Sequence, residues 1–271
     1  MAGEMIEIQG GFARLFRVDG EGRRVLDRQV SLGSLAEALG GRGPWPGVLP
    51  PGTRLAMARG PSLVLAVEQA PQVRRVEWRP GTLKDAAGDS RAGGGRAAGR
   101  RTVAVATPYV AHLLRFFRET FEEMRVYYRS AALASEGDPL SLPNLWNVQA
   151  AESPLARCRA CLRGRPALDG LPPGAQATAA IEFFWAAGFN LDVENNCFER
   201  SRGLDARISS LEAWEAATAA DPLFPLQVPW APSGLTIRQA MEHLLHWGHD
   251  GSPVADAADL ADVMYRLGEV P

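Results

Sequence analysis

The chain has 271 residues, of which 46% are hydrophobic and 22% charged, and a formal net charge of −2. Its length suits one large domain or two small ones, and its near-neutral charge offers no basic field for phosphates, which argues against nucleic acid as a partner. No apolar run approaches the ~20 residues that cross a bilayer, and "MAGEMIEIQGG" lacks the charged-then-apolar order of a signal peptide.

Three cysteines, an odd number, suggest no disulfide framework. The expectation is a cytoplasmic protein with no membrane partner. Positive charge is carried by arginine, with Lys84 the single lysine.

In chain order, "FARLFRVDG" and "RRVLDRQVSL" straddle Asp19-Gly20-Glu21-Gly22, a turn signal between two β-prone runs, and predict a hairpin. "SLAEALGG" reads as a short helix from Ser34 to Gly40, and 41–52 as loop, since its prolines and glycines deny helical continuity. Residues 54–78 offer two or three strands, "SLVLAVE" the clearest. Residues 79–101 are rich in Gly, Ala and Arg with Leu83 the one large apolar residue, so they predict a linker, or else a loop between two strands of one sheet. "RTVAVATPYVAHLLRFF" is a strand followed by a Pro turn, and "MRVYYRSA" a further β-rich core.

Helical spacing follows. Ala180, Ile181, Phe184, Ala187 and Phe189 predict a helix over 174–190. "SSLEAWEAATAA" predicts one capped by Ser209 or Ser210, and "LTIRQAMEHLLHWGHDG" one between Thr236 and Gly248. "VADAADLADVMYRLG" predicts a last helix. Strands followed by helices argue for an α+β class.

Chemistry-bearing residues concentrate in "PLSLPNLWNVQAAESPLARCRACLRG", residues 139–164. Cys158 and Cys161 form a CxxC, which is half of a tetrahedral zinc ligand set with no second CxxC or CxxH to complete it. A dithiol redox pair would sit at a helix start after a strand, whereas Pro154 and Pro166 flank this pair. His243 and His246 share a helix face and could hold a metal with His249 nearby, or they could complement the helix dipole beside Trp247. Cys197 reads as a packing residue. A nucleophilic reading needs an exposed thiol and an oxyanion donor, and asparagine donates without titrating. Asn144 and Asn147 precede the cysteines as Pro-Asn and Trp-Asn. Arg157, Arg159 and Arg163 either lower the pKa of a neighbouring thiol or are solvated charges.

Several stretches, in shared order, resemble the prokaryotic ubiquitin-conjugating-enzyme-like family D. They are "GVLPPGTRLAMARGPSLVLAVEQAPQVRRVEW", "TVAVATPYVAHLLRF" with "MRVYYRSA", "LPNLWNV" with "CLRG", "IEFFWAAGFN" and "LEAWEAATAADPLFPLQVPW". Against that family "QAAESP" looks like a short insertion, the Gly after Cys161 is displaced by one residue, and Asn190 stands where a Thr-His is expected. The resemblance implies an antiparallel sheet flanked by helices. Residues 102–271 would be the ubiquitin-conjugating-enzyme-like part, 79–101 a linker or loop, and 1–78 an N-terminal β-rich accessory half. It implies Cys161 as nucleophile, with Cys158 as the other candidate, and Asn147 as oxyanion donor, with Asn144 as the second. The implied partners are a ubiquitin-like modifier, an activating enzyme and a metal-dependent deconjugating peptidase, and no cofactor is expected. The rival readings are an inactive scaffold of the same fold and a metal-binding protein using the CxxC and histidines.

Overall fold

The computed structural model describes residues 3–9, 12–18, 22–31, 48–59, 62–79, 100–149, 158–162, 164, 167–190 and 197–246. These form a mixed α+β fold of antiparallel sheets with four α-helices among the described residues. Three strands, β1 (Gly3–Gln9), β2 (Phe12–Val18) and β3 (Arg24–Ser31), form an antiparallel meander in that order. The hairpin expected around Asp19 is β2–β3.

The central sheet has six strands. They are β4 (Thr53–Arg59), β5 (Ser62–Gln69), β8 (Tyr109–Phe117), β9 (Thr120–Arg129), β10 (Pro139–Ser141) and β11 (Pro232–Thr236), in the order β11-β10-β9-β8-β5-β4. Burial follows sequence. The continuous apolar run of β5 is buried on both faces, as an interior strand requires, while β4 alternates because it is an edge. A separate pair, β6 (Gln72–Trp78) and β7 (Arg101–Thr107), is antiparallel with Trp78 opposite Arg101.

Of the strands in the segment expected to form an accessory half, β5 pairs with β8 and β6 with β7, both on the far side of 79–101, while β4 pairs with β5. Strands β6 and β7, which flank 79–100 in the chain, pair with each other.

Helix α1 (Pro173–Ala186) packs on β6, β8 and β9, and α3 (Leu211–Ala220) on β7; α4 (Ile237–His246) packs on β4, β5 and β8. Helix α2 (Cys197–Leu204) packs on a 3-10 turn at 206–208. The helix starts obey local chemistry. The Ser210 hydroxyl accepts from the Ala213 N–H at 3.1 Å. Thr236 and Gln239 form a reciprocal capping box, Gln239 N–H to Thr236 Oγ1 at 3.3 Å and Thr236 N–H to Gln239 Oε1 at 2.9 Å. The Ser34–Gly40 and 254–268 helices lie outside the described residues. No helix among the described residues is long and apolar enough to cross a membrane.

An aromatic core joins these layers. Trp146 is buried against Trp78, Phe198 and Trp214 at 5.1–5.5 Å between ring centroids, and Phe189 lies at 6.3 Å. Such rings carry much of the apolar burial that offsets chain entropy.

Candidate active site

After β10 the chain makes two left-handed turns, at Asn144 (φ 46°) and Asn147 (φ 61°). Asparagine tolerates this conformation better than most residues. The turns drive Leu145 and Trp146 into the core and direct both asparagine amides at neighbouring elements.

Asn144 is tied to α2. Its Nδ2 donates to the Cys197 carbonyl at 2.8 Å and to the Ser201 hydroxyl, while its Oδ1 accepts from Arg200 Nε at 3.1 Å. Asn147 is tied to the segment after α1, with Nδ2 donating to the Gly188 carbonyl at 3.0 Å and Oδ1 accepting from the Asn190 N–H at 3.3 Å. That segment is itself anchored to β6 by Phe189 N–H to Glu77 O at 2.7 Å and Arg79 N–H to Phe189 O at 2.8 Å. Asn190, expected where a family Thr-His would fall, therefore meets Asn147 through its backbone.

The cysteine segment threads between this loop and the central sheet. On one side Val126 N–H donates to Cys158 O at 2.9 Å and Ala160 N–H to Met124 O at 2.8 Å. On the other, Cys158 N–H reaches Gln149 O and Cys161 N–H reaches Asn147 O, both at 2.7 Å. The short strand-like piece thus extends the edge of β9 below β10. Asn147 and Cys161, distant in sequence, become neighbours on adjacent strands.

The two thiols differ. Cys158 has φ 66° and is 1% exposed, packed in the core, whereas Cys161 is partly exposed. Cys197 is buried, as expected of a packing residue. Arg159 directs Nε at Glu123 Oε2, 3.3 Å away, and the buried Arg125 holds the other oxygen of Glu123 at 3.2 Å. The Arg159 charge is thereby shared with a carboxylate rather than aimed at a thiol alone. Arg157 and Arg163 lie outside the described residues.

The metal reading gains no ligand set. Among the described residues no group of three or more His, Cys, Asp or Glu converges to hold an ion. His243 lies on α4 with its Nδ1 buried and without a hydrogen-bond partner. His246 ends α4, and His249 lies outside the described residues.

Sequence reasoning missed a second polar cluster, formed by Gln69, Arg74, His112, Tyr128 and Trp185. One signal was available: His112 interrupts the otherwise apolar run "YVAHLL" of a buried strand. No protein-family model, curated protein or solved structure matches the chain.

Proposed function

We propose that the chain is a ubiquitin-conjugating-enzyme-like protein of the PRTRC system protein B type, carrying a ubiquitin-like modifier on Cys161. The observation that supports this most is the placement of Cys161. It is the partly exposed cysteine of the three, and its N–H donates to the carbonyl of Asn147.

In the reaction, the Cys161 thiolate attacks the carbonyl carbon of the modifier's C-terminal thioester on the activating enzyme. A new S–C bond forms, the old one breaks, and the departing thiolate takes up the proton that Cys161 released. An acceptor amine then attacks the same carbon. The C–N bond forms as the C–S bond breaks, and the proton lost by the amine restores the Cys161 thiol. Each step passes through a tetrahedral oxyanion. Asn147 gives one Nδ2 hydrogen to Gly188, and the amide's second hydrogen is the donor for that oxyanion. A metal-dependent peptidase would cleave the product bond and recycle the modifier.

A specific observation favours the inactive-scaffold reading as the second choice. The Asn147 amide is committed to the Gly188–Asn190 turn, and Arg159 is paired with Glu123, so both groups have complete structural roles without substrate. One experiment separates the two. The protein is mixed with a charged activating enzyme and its modifier, then run on a non-reducing gel. A thiol-sensitive adduct that persists in Cys158→Ala and vanishes in Cys161→Ala is the expected result. Modifier binding without any adduct would leave the scaffold reading alone.

A further inference from the structure

The second polar cluster lies beneath α1, on the sheet face where Val67, His112 and Val126 align across β5, β8 and β9. Gln69 Oε1 sits at its centre and meets three groups. These are Arg74 Nη2 at 2.5 Å, His112 Nε2 at 2.9 Å and Trp185 Nε1 at 3.1 Å. Arginine and the indole can only donate, so the glutamine oxygen must face them. His112 Nε2 then carries the imidazole proton, and Nδ1 is a bare lone pair. His112 is fully buried, and desolvation pulls its pKa down to about 3, so the ring is neutral at physiological pH.

Three polar atoms of this cluster have no hydrogen-bond partner: His112 Nδ1, Arg74 Nε and the Tyr128 hydroxyl. Arg74 also lacks a carboxylate among the described residues. Its guanidinium instead lies over the Trp185 ring, with Cζ 3.7 Å from the centroid. Burial lowers its pKa to about 10, and burial raises that of the Tyr128 phenol above its usual range. Phe184 and Trp185 pack edge-on beside His112, and Trp230 beside Tyr128. Buried polar atoms are nearly always paired, and a buried cation ordinarily has a counter-charge. Arg74 is partly buried, and its Nε and the buried polar atoms of His112 and Tyr128 are each left without a partner.

We infer that this cluster is a binding site for a small organic acid, Arg74 and Tyr128 donating to its carboxylate and His112 Nδ1 accepting from a hydroxyl on the same molecule. Charge matching selects the class. One arginine balances one carboxylate, while phosphate near neutral pH would bring nearly two negative charges against it. Aromatic side chains beside these polar groups suit an organic stem better than a bare inorganic ion. The site does not depend on the conjugating reading of Cys161.

The test is thermal unfolding of the full chain with lactate, propionate, benzoate, phosphate or chloride at matched ionic strength. Carboxylates should raise Tm in a concentration-dependent way, lactate more than propionate, with chloride inert. Arg74→Met keeps a stem over Trp185 and removes the charge. It should leave the ligand-free Tm unchanged or higher while weakening the carboxylate response about ten- to a hundredfold. Tyr128→Phe should weaken binding severalfold with an unchanged fold, and it decides the matter if Arg74→Met does not fold. Carboxylates acting no better than chloride, phosphate outperforming them, or both variants keeping the full response would overturn the assignment.

Discussion

Asn147 is the residue at which a structural and a chemical role can be told apart by replacement. In Asn147→Ala the alanine must adopt φ near 61°, where a non-glycine residue without a local polar side chain costs ~1–2 kcal/mol. It also loses the bonds to Gly188 O and Asn190 N–H, worth ~0.5–1.5 kcal/mol each. The sum is a loss of about 2–5 kcal/mol. Asn147→Gly loses the same two bonds but meets little backbone penalty, so it should be less damaging than alanine by about 1 kcal/mol. Guanidinium unfolding followed by tryptophan fluorescence reads this directly, since Trp146 is the adjacent residue and sits in the aromatic core. Asn147→Gly more destabilising than Asn147→Ala, or both within ~0.5 kcal/mol of wild type, would refute the assignment of a tethering role. Should Asn147→Gly fold well yet form the Cys161 adduct far more slowly, the oxyanion role stands in addition.

Three other outcomes are expected. Gly52→Ala should lose at least ~2 kcal/mol, because φ is 83° and the new β-carbon would lie 2.3 Å from the Glu68 carbonyl oxygen; Gly170→Ala, with φ 79° and nothing within 4 Å, should lose clearly less in the same unfolding assay. His112 stays neutral in the fold down to about pH 3, whereas in the unfolded chain it takes a proton below ~pH 6.5. Its depressed folded pKa therefore makes stability fall as pH drops from ~6.5 towards 3, and His112→Gln should flatten that part of the midpoint-versus-pH curve; parallel curves would contradict this. Finally, an aromatic disulfide reagent should modify Cys161 rapidly in the native protein and reach Cys158 and Cys197 only on unfolding, so a fast phase surviving in Cys161→Ser would be inconsistent with the burial described.

What could be read in advance followed local rules. The β2–β3 hairpin, the apolar β5 and the caps of α3 and α4 are properties of a few adjacent residues, and each lies close to where the sequence puts it. The turn between β8 and β9 carries no glycine or asparagine signal, since it uses Arg118 (φ 47°) and Glu119 (φ 67°), both left-handed. The partners of 54–78 were hidden for another reason: antiparallel pairing across the 79–100 connection is non-local, and no composition signal announces it. Strand β11 and helix α2 were missed, β11 being short and rich in Pro and Gly, α2 polar.

The candidate site was half legible. Asn147 and Cys161 do become neighbours, yet their contact is between backbone groups, which a motif cannot show. The asparagines drew notice as oxyanion donors, and the two left-handed turns supply an independent reason for that residue type at both positions. The Gln69, Arg74 and His112 cluster unites three strands, so only the strand register reveals it.

The hairpin formed by β6 and β7 has a practical consequence. Paired strand ends lie only ~5 Å apart, and a turn of two to five residues spans that gap, so the sheet makes no demand for the length of the stretch joining Trp78 to Arg101. The chain's one lysine, Lys84, falls inside that stretch. A single ε-amine, borne where the strands require none of the surrounding residues, makes amine chemistry on this protein addressable. Lys84→Arg would remove the one side-chain amine, so any amide-linked self-attachment to a lysine becomes a yes-or-no signal at one position.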